Sequence, residues 1–283
     1  MRNCSRPSKG AAMLNANKLI GTHDVLLITL DTLRYDVACD CLQRGVTPNL
    51  QAVIPDGRWL RRHSPGSFTY SAHHAFFAGF LPTPDSPGLH TRLFATAFPG
   101  SETTSQRTCV FNESNIVAGL AGRGYHTVCI GGVGFFNKLS PLGRVFPDMF
   151  AESHWSEDLG VTSPDSTENQ VDLAESILET LDPEQRMMLF LNVSAIHQPN
   201  CIFLDGADDD SPAAQAAALA YADPHLGRLF EAMRRRGPSL CVICSDHGTL
   251  YGEDGRRGYR TGHPIVWTVP YAEFILPATE GPA

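Results

Sequence analysis

Two stretches of this chain are apolar without a break and then stop on residues that carry chemistry. VLLITL (25–30) runs into Asp31, and LCVIC (240–244) runs through Ser245 into Asp246 and His247. Continuous leucine-rich and β-branched runs suit strands that are buried on both faces, which is how strands of a parallel sheet sit. In an open parallel sheet, ligand-binding residues collect at the carboxyl ends of the strands. Asp31, Asp246 and His247 are therefore expected to meet in space, far apart as they are in sequence. A third run, MMLFLNVS (187–194), leads toward His197 in the same way.

Between these runs the pattern changes period. A polar, proline-rich stretch follows the first strand as far as Gly66. The small and aromatic segment from Ala72 to Phe80 ends at Pro82, so a helix is predicted to open near Thr69. Positions 83–107 and 137–167 read as loops. A helix is predicted at Ile116–Arg123, stopped by Gly124, and a strand at HTVCIGG (126–132). QVDLAESILETLD carries apolar residues at 171, 173, 174, 177, 178 and 181, the spacing of an amphipathic helix. GADDDSP (206–212) reads as a turn. AAQAAALAYADPHLGRLFEAMRRRG is a long helix ended by Gly237, with an interruption expected at Pro224. IVWTVPYAEFIL is read as a last strand. This alternation predicts an α/β fold, a three-layer α/β/α sandwich with a mostly parallel central sheet. Residues 1–22 are expected to be a flexible lead-in, with Met13 an alternative start to Met1, and 23–283 a single domain without repeats.

With 283 residues, 42% of them hydrophobic, the chain can bury a full core. A net charge of −8 argues against nucleic-acid binding, which calls for a basic surface. No run approaches the roughly 18–20 apolar residues that span a bilayer, and no signal peptide is apparent. The expected setting is the cytoplasm, with no membrane partner. The eight cysteines do not form a small-domain disulfide framework, and Cys241 and Cys244, inside an apolar run, are expected to be core thiols.

Asp31, Asp246, His247 and the hydroxyl of Thr69 make a mixed oxygen and nitrogen donor set. Such a set suits Zn²⁺ or Mn²⁺, with Mg²⁺ or Ca²⁺ less favoured once an imidazole ligates. A threonine hydroxyl is a poor nucleophile at neutral pH, and coordination to a divalent cation lowers its pKa and aims it. If Thr69 opens a helix, the amides there favour an anionic oxygen as well.

Five segments, in order, resemble the sulfatase branch of the alkaline phosphatase superfamily. VLLITLDTLRYD is similar to its opening strand, and Thr69 to Pro82 to the block from the nucleophile to G-x-x-P. LNVSAIHQPN has the form of the strand ending in H-x-P. YADPHLGRLFEAM resembles the helix before the SDHG-x-x-x-GE segment, and SDHGTLYGEDG that segment itself. The resemblance implies an alkaline phosphatase-like fold, here expected to lack most of the C-terminal subdomain, which leaves room for a partner protein or a second copy to complete the pocket.

The departures from that pattern are informative. Sulfatases carry Cys or Ser at the nucleophile, with Pro two on and Arg four on; this chain has Thr69, Ser71 and His73. Unmodified threonine is what phosphorus-directed relatives use. Gly132 and Gly134 stand where sulfatases place the Lys and His of their sulfate clamp. Val193 stands where two-zinc relatives carry an Asp, so one tight metal is expected, held by Asp31, Thr69, Asp246 and His247, and a second site is doubtful. By resemblance, His197 and His263 are expected to contact the phosphoryl group and protonate the leaving group. His73 and Arg260 are expected to help bind substrate and His74 to be structural; Glu253 is read first as an ordinary charged residue, with a role in orienting His247 as the alternative. The function implied is a metal-dependent hydrolase of phosphate esters or phosphonates acting on a small anionic ester. The alternatives are a sulfate ester hydrolase or phosphotransferase of the same superfamily, and a non-catalytic metal-binding homologue.

Overall fold

The computed structural model describes residues 14–79, the strand backbones at 92–95 and 108–110, and residues 115–279. The strands are β1 (Asp24–Leu30), β2 (Leu60–His63), β3 (Arg92–Ala95), β4 (Thr108–Val110), β5 (His126–Ile130), β6 (Glu152–His154), β7 (Met187–Val193), β8 (Ser239–Cys244), β9 (Leu250–Tyr251), β10 (Arg257–Gly258) and β11 (Thr268–Leu276). The helices are α1 (Tyr35–Gln43), α2 (Pro48–Val53), α3 (Thr69–Ala78), α4 (Ile116–Ala121), α5 (Pro141–Arg144), α6 (Ser166–Thr180), α7 (Pro212–Arg236) and α8 (Pro264–Trp267).

Seven strands form the central sheet in the order β2-β11-β8-β1-β7-β5-β6. The run β8-β1-β7-β5-β6 is parallel throughout, while β11 is antiparallel to both β8 and β2. β1 lies between the two other long apolar strands, with Val25–Leu30 in register with Met188–Val193 on one side and Asp24–Thr29 with Ser239–Cys244 on the other. Alternate residues of these strands enter different cores, as the two-residue side-chain period demands. Leu26, Ile28 and Leu30 join Leu189, Leu191 and Val193 under α1, α2, α6 and α7. Val25, Met188 and Phe190 join Phe77 of α3, Val117 and Leu120 of α4, and Phe136 and Phe146 on the opposite face. These are the three layers, and β7 is buried at all seven positions.

Several expectations change. β6 forms the edge of the sheet inside the stretch read as loop 137–167, and β2 forms the other edge before Gly66. Within 83–107, Arg92–Ala95 pairs in parallel with Thr108–Val110, and the rest of that stretch lies outside the described residues. The last strand begins only at Thr268, after the short α8. α7 is not interrupted at Pro224. A proline inside a helix costs about 3 kcal/mol, and α7 withstands it because Ala222, Asp223, Leu226, Leu229 and Phe230 around it are buried. Residues 1–13 of the expected lead-in lie outside the described residues. After them, Ala16–Lys18 forms a 3-10 turn, and the Gly21 amide donates to the Tyr125 hydroxyl at 2.7 Å.

Candidate metal centre

β1 ends at Leu30, and the chain turns sharply through Thr32, whose φ is +60°. The turn leaves Asp31 fully buried at the carboxyl end of the strand. Its Oδ2 accepts the Asn192 side-chain amide at 3.0 Å, and its Oδ1 has no partner among the described residues. Asp246 leaves the neighbouring strand β8 at the same end. Its Oδ1 accepts the Thr32 amide at 3.1 Å and the His247 amide at 2.9 Å, while its Oδ2, also buried, has no hydrogen-bond partner among the described residues. The His247 ring lies 2.9 Å by Nδ1 from the Gly248 carbonyl. A carbonyl only accepts, so Nδ1 carries the proton and Nε2 presents a lone pair. That Nε2 lies 3.5 Å from Asp246 Oδ2 and 3.4 Å from the Thr69 hydroxyl.

Asp31, Asp246 and His247 each place a ligand atom within 4.8 Å of the others, all buried. Two orphaned carboxylate oxygens side by side are costly without a cation, because desolvated charges need pairing. The strain shows in the Asp31 carboxyl, pushed well above the usual range by burial first and by the Asp246 charge second, against His247 and the Asn192 amide. The residues present therefore fit a divalent cation. Asp31, Asp246 and His247 would hold it, with the Thr69 hydroxyl beside His247.

Thr69 is the first residue of α3 and only 1% exposed. The helix starts there because Phe68 is fully extended, with φ −164° and ψ 161° and no side-chain cap, and it ends at Gly79 in the left-handed region. Gly66 lets the preceding loop close onto the first turn: a Cβ there would lie 2.2 Å from Ser71 Oγ. One turn on, His73 is fully buried, with Nδ1 2.8 Å from the Thr69 carbonyl and Nε2 3.1 Å from the Thr29 hydroxyl. Burial lowers its pKa. Expected as a substrate contact, His73 instead has both ring nitrogens engaged inside the protein. His74 stacks on Tyr70, and burial lowers its pKa to about 4.

A strap after β8 covers the donors. Tyr259 sets its ring 4.5 Å from that of His247, and its hydroxyl lies 3.3 Å from His197 Nε2. His197 Nδ1 lies 2.6 Å from the Gln198 carbonyl and so must donate to it, which leaves Nε2 to accept from Tyr259. Burial lowers the His197 pKa. His197 thus meets the site as a neutral acceptor behind Tyr259, not as the ready acid expected of it. The Arg260 guanidinium lies over the rings of Phe68 and Tyr259, at 5.6 and 5.7 Å, and its amide donates to the Ser67 carbonyl at 2.8 Å. The expected substrate-binding residue Arg260 therefore stands next to the opening of α3.

His263 is not brought into the donor set. Its Nδ1 accepts the Ile265 amide at 3.1 Å, capping α8, and its Nε2 faces Asp254 at 3.2 Å. Glu253 does not orient His247. It pairs with the buried Arg34 and accepts the Tyr251 amide at 2.7 Å, fastening the strap to the loop after β1. Burial raises the Glu253 carboxyl, but these bonds outweigh it and hold it at about 2. Arg34 also pairs with Asp36 at 2.6 Å. Cys241 and Cys244 are buried in β8, where burial pushes both thiols up to about 12. Tyr259 is the residue the sequence reading passed over. The signal was an aromatic side chain set among arginines between the two histidine-bearing segments.

A family model described as Sulfatase matches residues 23–271. No curated protein matches the chain in sequence. Among solved structures, the lipoteichoic acid synthase LtaP from Listeria monocytogenes is similar at 14% identity and a TM-score of 0.58, over 89% of this chain and 65% of that one. The chain thus spans just under two thirds of LtaP. The C-terminal periplasmic domain of EcEptC from Escherichia coli, in complex with Zn, is similar at 12% identity and a TM-score of 0.62, over 89% of this chain and 72% of that one. The Streptococcus pyogenes phosphoglycerol transferase GacH, in complex with sn-glycerol-1-phosphate, is similar at 14% identity and a TM-score of 0.53, over 91% of this chain and 69% of that one. No helix among the described residues is long and apolar enough to cross a membrane. With the family model matching most of its length, the chain belongs to the sulfatase family.

Proposed function

We propose that this protein is a metal-dependent hydrolase of phosphate esters or phosphonates with Thr69 as its nucleophile. The observation that carries the reading is the buried cluster of Asp31, Asp246 and His247, with two orphaned carboxylate oxygens and the Thr69 hydroxyl beside the imidazole. A divalent cation bound there supplies charge neutralisation and a lowered pKa for a coordinated hydroxyl. The protein's own residues then act as follows. The Thr69 oxygen attacks phosphorus in line, forming one P–O bond while the bond to the leaving oxygen breaks. The attacking hydroxyl gives up its proton to solvent water and the leaving oxygen takes one up from the same source, so the step balances. We assign the Tyr259 hydroxyl, bonded to the neutral His197 beside the His247 ring, to the leaving-group side. Arg260 offers a fixed positive charge to the remaining anionic oxygens. Water then cleaves the threonyl-phosphate.

Phosphorus is favoured over sulfur by Gly132. A Cβ built there would lie 2.5 Å from the Asn192 carbonyl and 2.6 Å from Ser194 Cβ, so no lysine of a sulfate clamp fits at that position. A second reading, transfer of the phosphoryl group to an acceptor alcohol in place of water, draws support from the likeness to a phosphoglycerol transferase. For the compartment we propose the cytoplasm, the setting in which free thiols such as those of Cys241 and Cys244 are kept reduced. The EcEptC neighbour is a periplasmic domain, and cell fractionation decides between the two.

The test is hydrolysis of p-nitrophenyl phosphate and bis-p-nitrophenyl phosphate by Zn²⁺-loaded protein. Replacing Thr69 by Ala is expected to cost at least ~10³-fold in kcat, the scale for removing one unit of a catalytic constellation. A Thr69→Ala protein as fast as the parent refutes the assignment. Accumulation of a new ester on addition of glycerol favours transfer over hydrolysis.

A further inference from the structure

Beneath the metal donors lies a set of polar side chains with no exposure at all: Thr29 in β1, Asn192 in β7 and His73 in α3. Their hydrogen bonds can be read in one direction only. The Thr69 carbonyl can only accept, so His73 Nδ1 donates to it at 2.8 Å and His73 Nε2 is left to accept. The partner of Nε2 is the Thr29 hydroxyl at 3.1 Å, which must therefore donate. Thr29 Oγ1 then has its lone pairs free to accept the Asn192 amide, also at 3.1 Å. The Asn192 side chain cannot be flipped end for end, because its Oδ1 accepts the Val133 amide at 3.1 Å. Its NH₂ group is thus shared between Thr29 and Asp31 Oδ2, the latter at 3.0 Å.

We infer that Asn192, Thr29 and His73 form a one-way hydrogen-bond chain that sets the position of two catalytic donors at once, the Asp31 carboxylate at one end and the first turn of the Thr69 helix at the other. The inference rests on the metal-centre reading above and assigns all three as positioning residues. The low pKa that burial imposes on His73 agrees with the neutral tautomer the chain requires. The chain also explains a missed contact. His73 Nδ1 lies 3.7 Å from Asp246 Oδ2, outside hydrogen-bonding range, because its hydrogen is committed to the Thr69 carbonyl. Because all three side chains are fully buried, cutting one link leaves groups unsatisfied on both sides of the cut.

Thr29 is the link to cut, since valine keeps its shape and removes its hydroxyl. Zn²⁺ affinity is measured by competition with a chromophoric chelator, and the donor geometry by the visible absorption of the Co²⁺-substituted protein. Thr29→Val is expected to bind Zn²⁺ about 10–100-fold more weakly than the parent, the range for losing a group that orients a ligand, and to shift the Co²⁺ spectrum. Thr29→Ser, which keeps the hydroxyl, is expected to restore both. Equal affinity and equal spectra for parent, Thr29→Val and Thr29→Ser overturn the inference while leaving the metal-centre reading intact. A parent that binds no Zn²⁺ sinks both. Should Thr29→Val fail to fold, His73→Asn carries the same two readouts, because its amide stands where Nδ1 stood, toward the Thr69 carbonyl, and is too short to reach Thr29.

Discussion

Asp31 is the residue whose chemistry changes most between the empty and the loaded site. Its folded-state pKa is raised by burial and by Asp246 above the unfolded value of roughly 3.9. Between those two pKa values the folded protein holds a proton that the unfolded chain has already released. Metal-free stability therefore falls as pH rises from about 4 through the folded pKa, because stability declines wherever the native state binds more protons. Replacing Asp31 by Asn removes this cost and keeps an acceptor for the Asn192 amide. The expected result, in thermal denaturation with chelator present, is a smaller decline in Tm from pH 5 to pH 8 than the parent shows. The metal-free Asn variant is also expected to be the more stable protein at pH 8. A steeper decline in the variant would mean that the carboxylate is compensated by something other than a cation.

At the scale of elements, the site depends on how closely the loop after β8 approaches α8. The Gly248 amide donates to the Val266 carbonyl at 2.6 Å, and a Cβ on Gly248 would lie 2.1 Å from the Ile265 carbonyl oxygen. Backbone cannot yield as a flexible side chain can. Gly248→Ala is expected to destabilise by about 1–3 kcal/mol, the usual range for overpacking, and to weaken metal binding through His247, whose Nδ1 rests on the Gly248 carbonyl. Urea denaturation with and without Zn²⁺ checks both. The same scale explains what could be read in advance. β1, β7 and β8 were legible because strands buried on both faces are dominated by apolar residues, and Asp31, Asp246 and His247 were legible because they stand where those runs stop. β2, with all four of its residues exposed, and β6 carry no such pattern; they are polar edges that take their hydrogen bonds from β11 and β5. Thr29 and Asn192 escaped notice because each lies within an apolar strand. His263 was expected at the phosphoryl group by resemblance alone, but a histidine just before a proline also suits a helix cap, and the cap is what the fold uses.

At the scale of the whole molecule, the donors come from β1, from the loop after β8 and, with Thr69, from the start of α3 on the other face of the sheet. A cation bound there ties one layer of the sandwich to the centre of the sheet, so its removal should be felt by the entire fold. A ligand that binds only the native state stabilises it by about 2.7 kcal/mol at a hundredfold excess over its Kd. Domains approaching this size shift by roughly 2–4 °C per kcal/mol, so Zn²⁺ at that excess is expected to raise Tm by roughly 5–10 °C over the chelated protein. The variants divide this effect in a way that reports on the site. Asp31→Asn and His247→Ala lose a ligand atom and are expected to show almost no Zn²⁺-dependent shift. Thr69→Ala keeps both carboxylates and the imidazole, and is expected to retain most of the shift while losing turnover. Differential scanning fluorimetry of the four proteins, with and without Zn²⁺, separates binding from catalysis. An equal Zn²⁺ shift in the Asp31→Asn protein would place the bound ion elsewhere and remove the basis for activating Thr69.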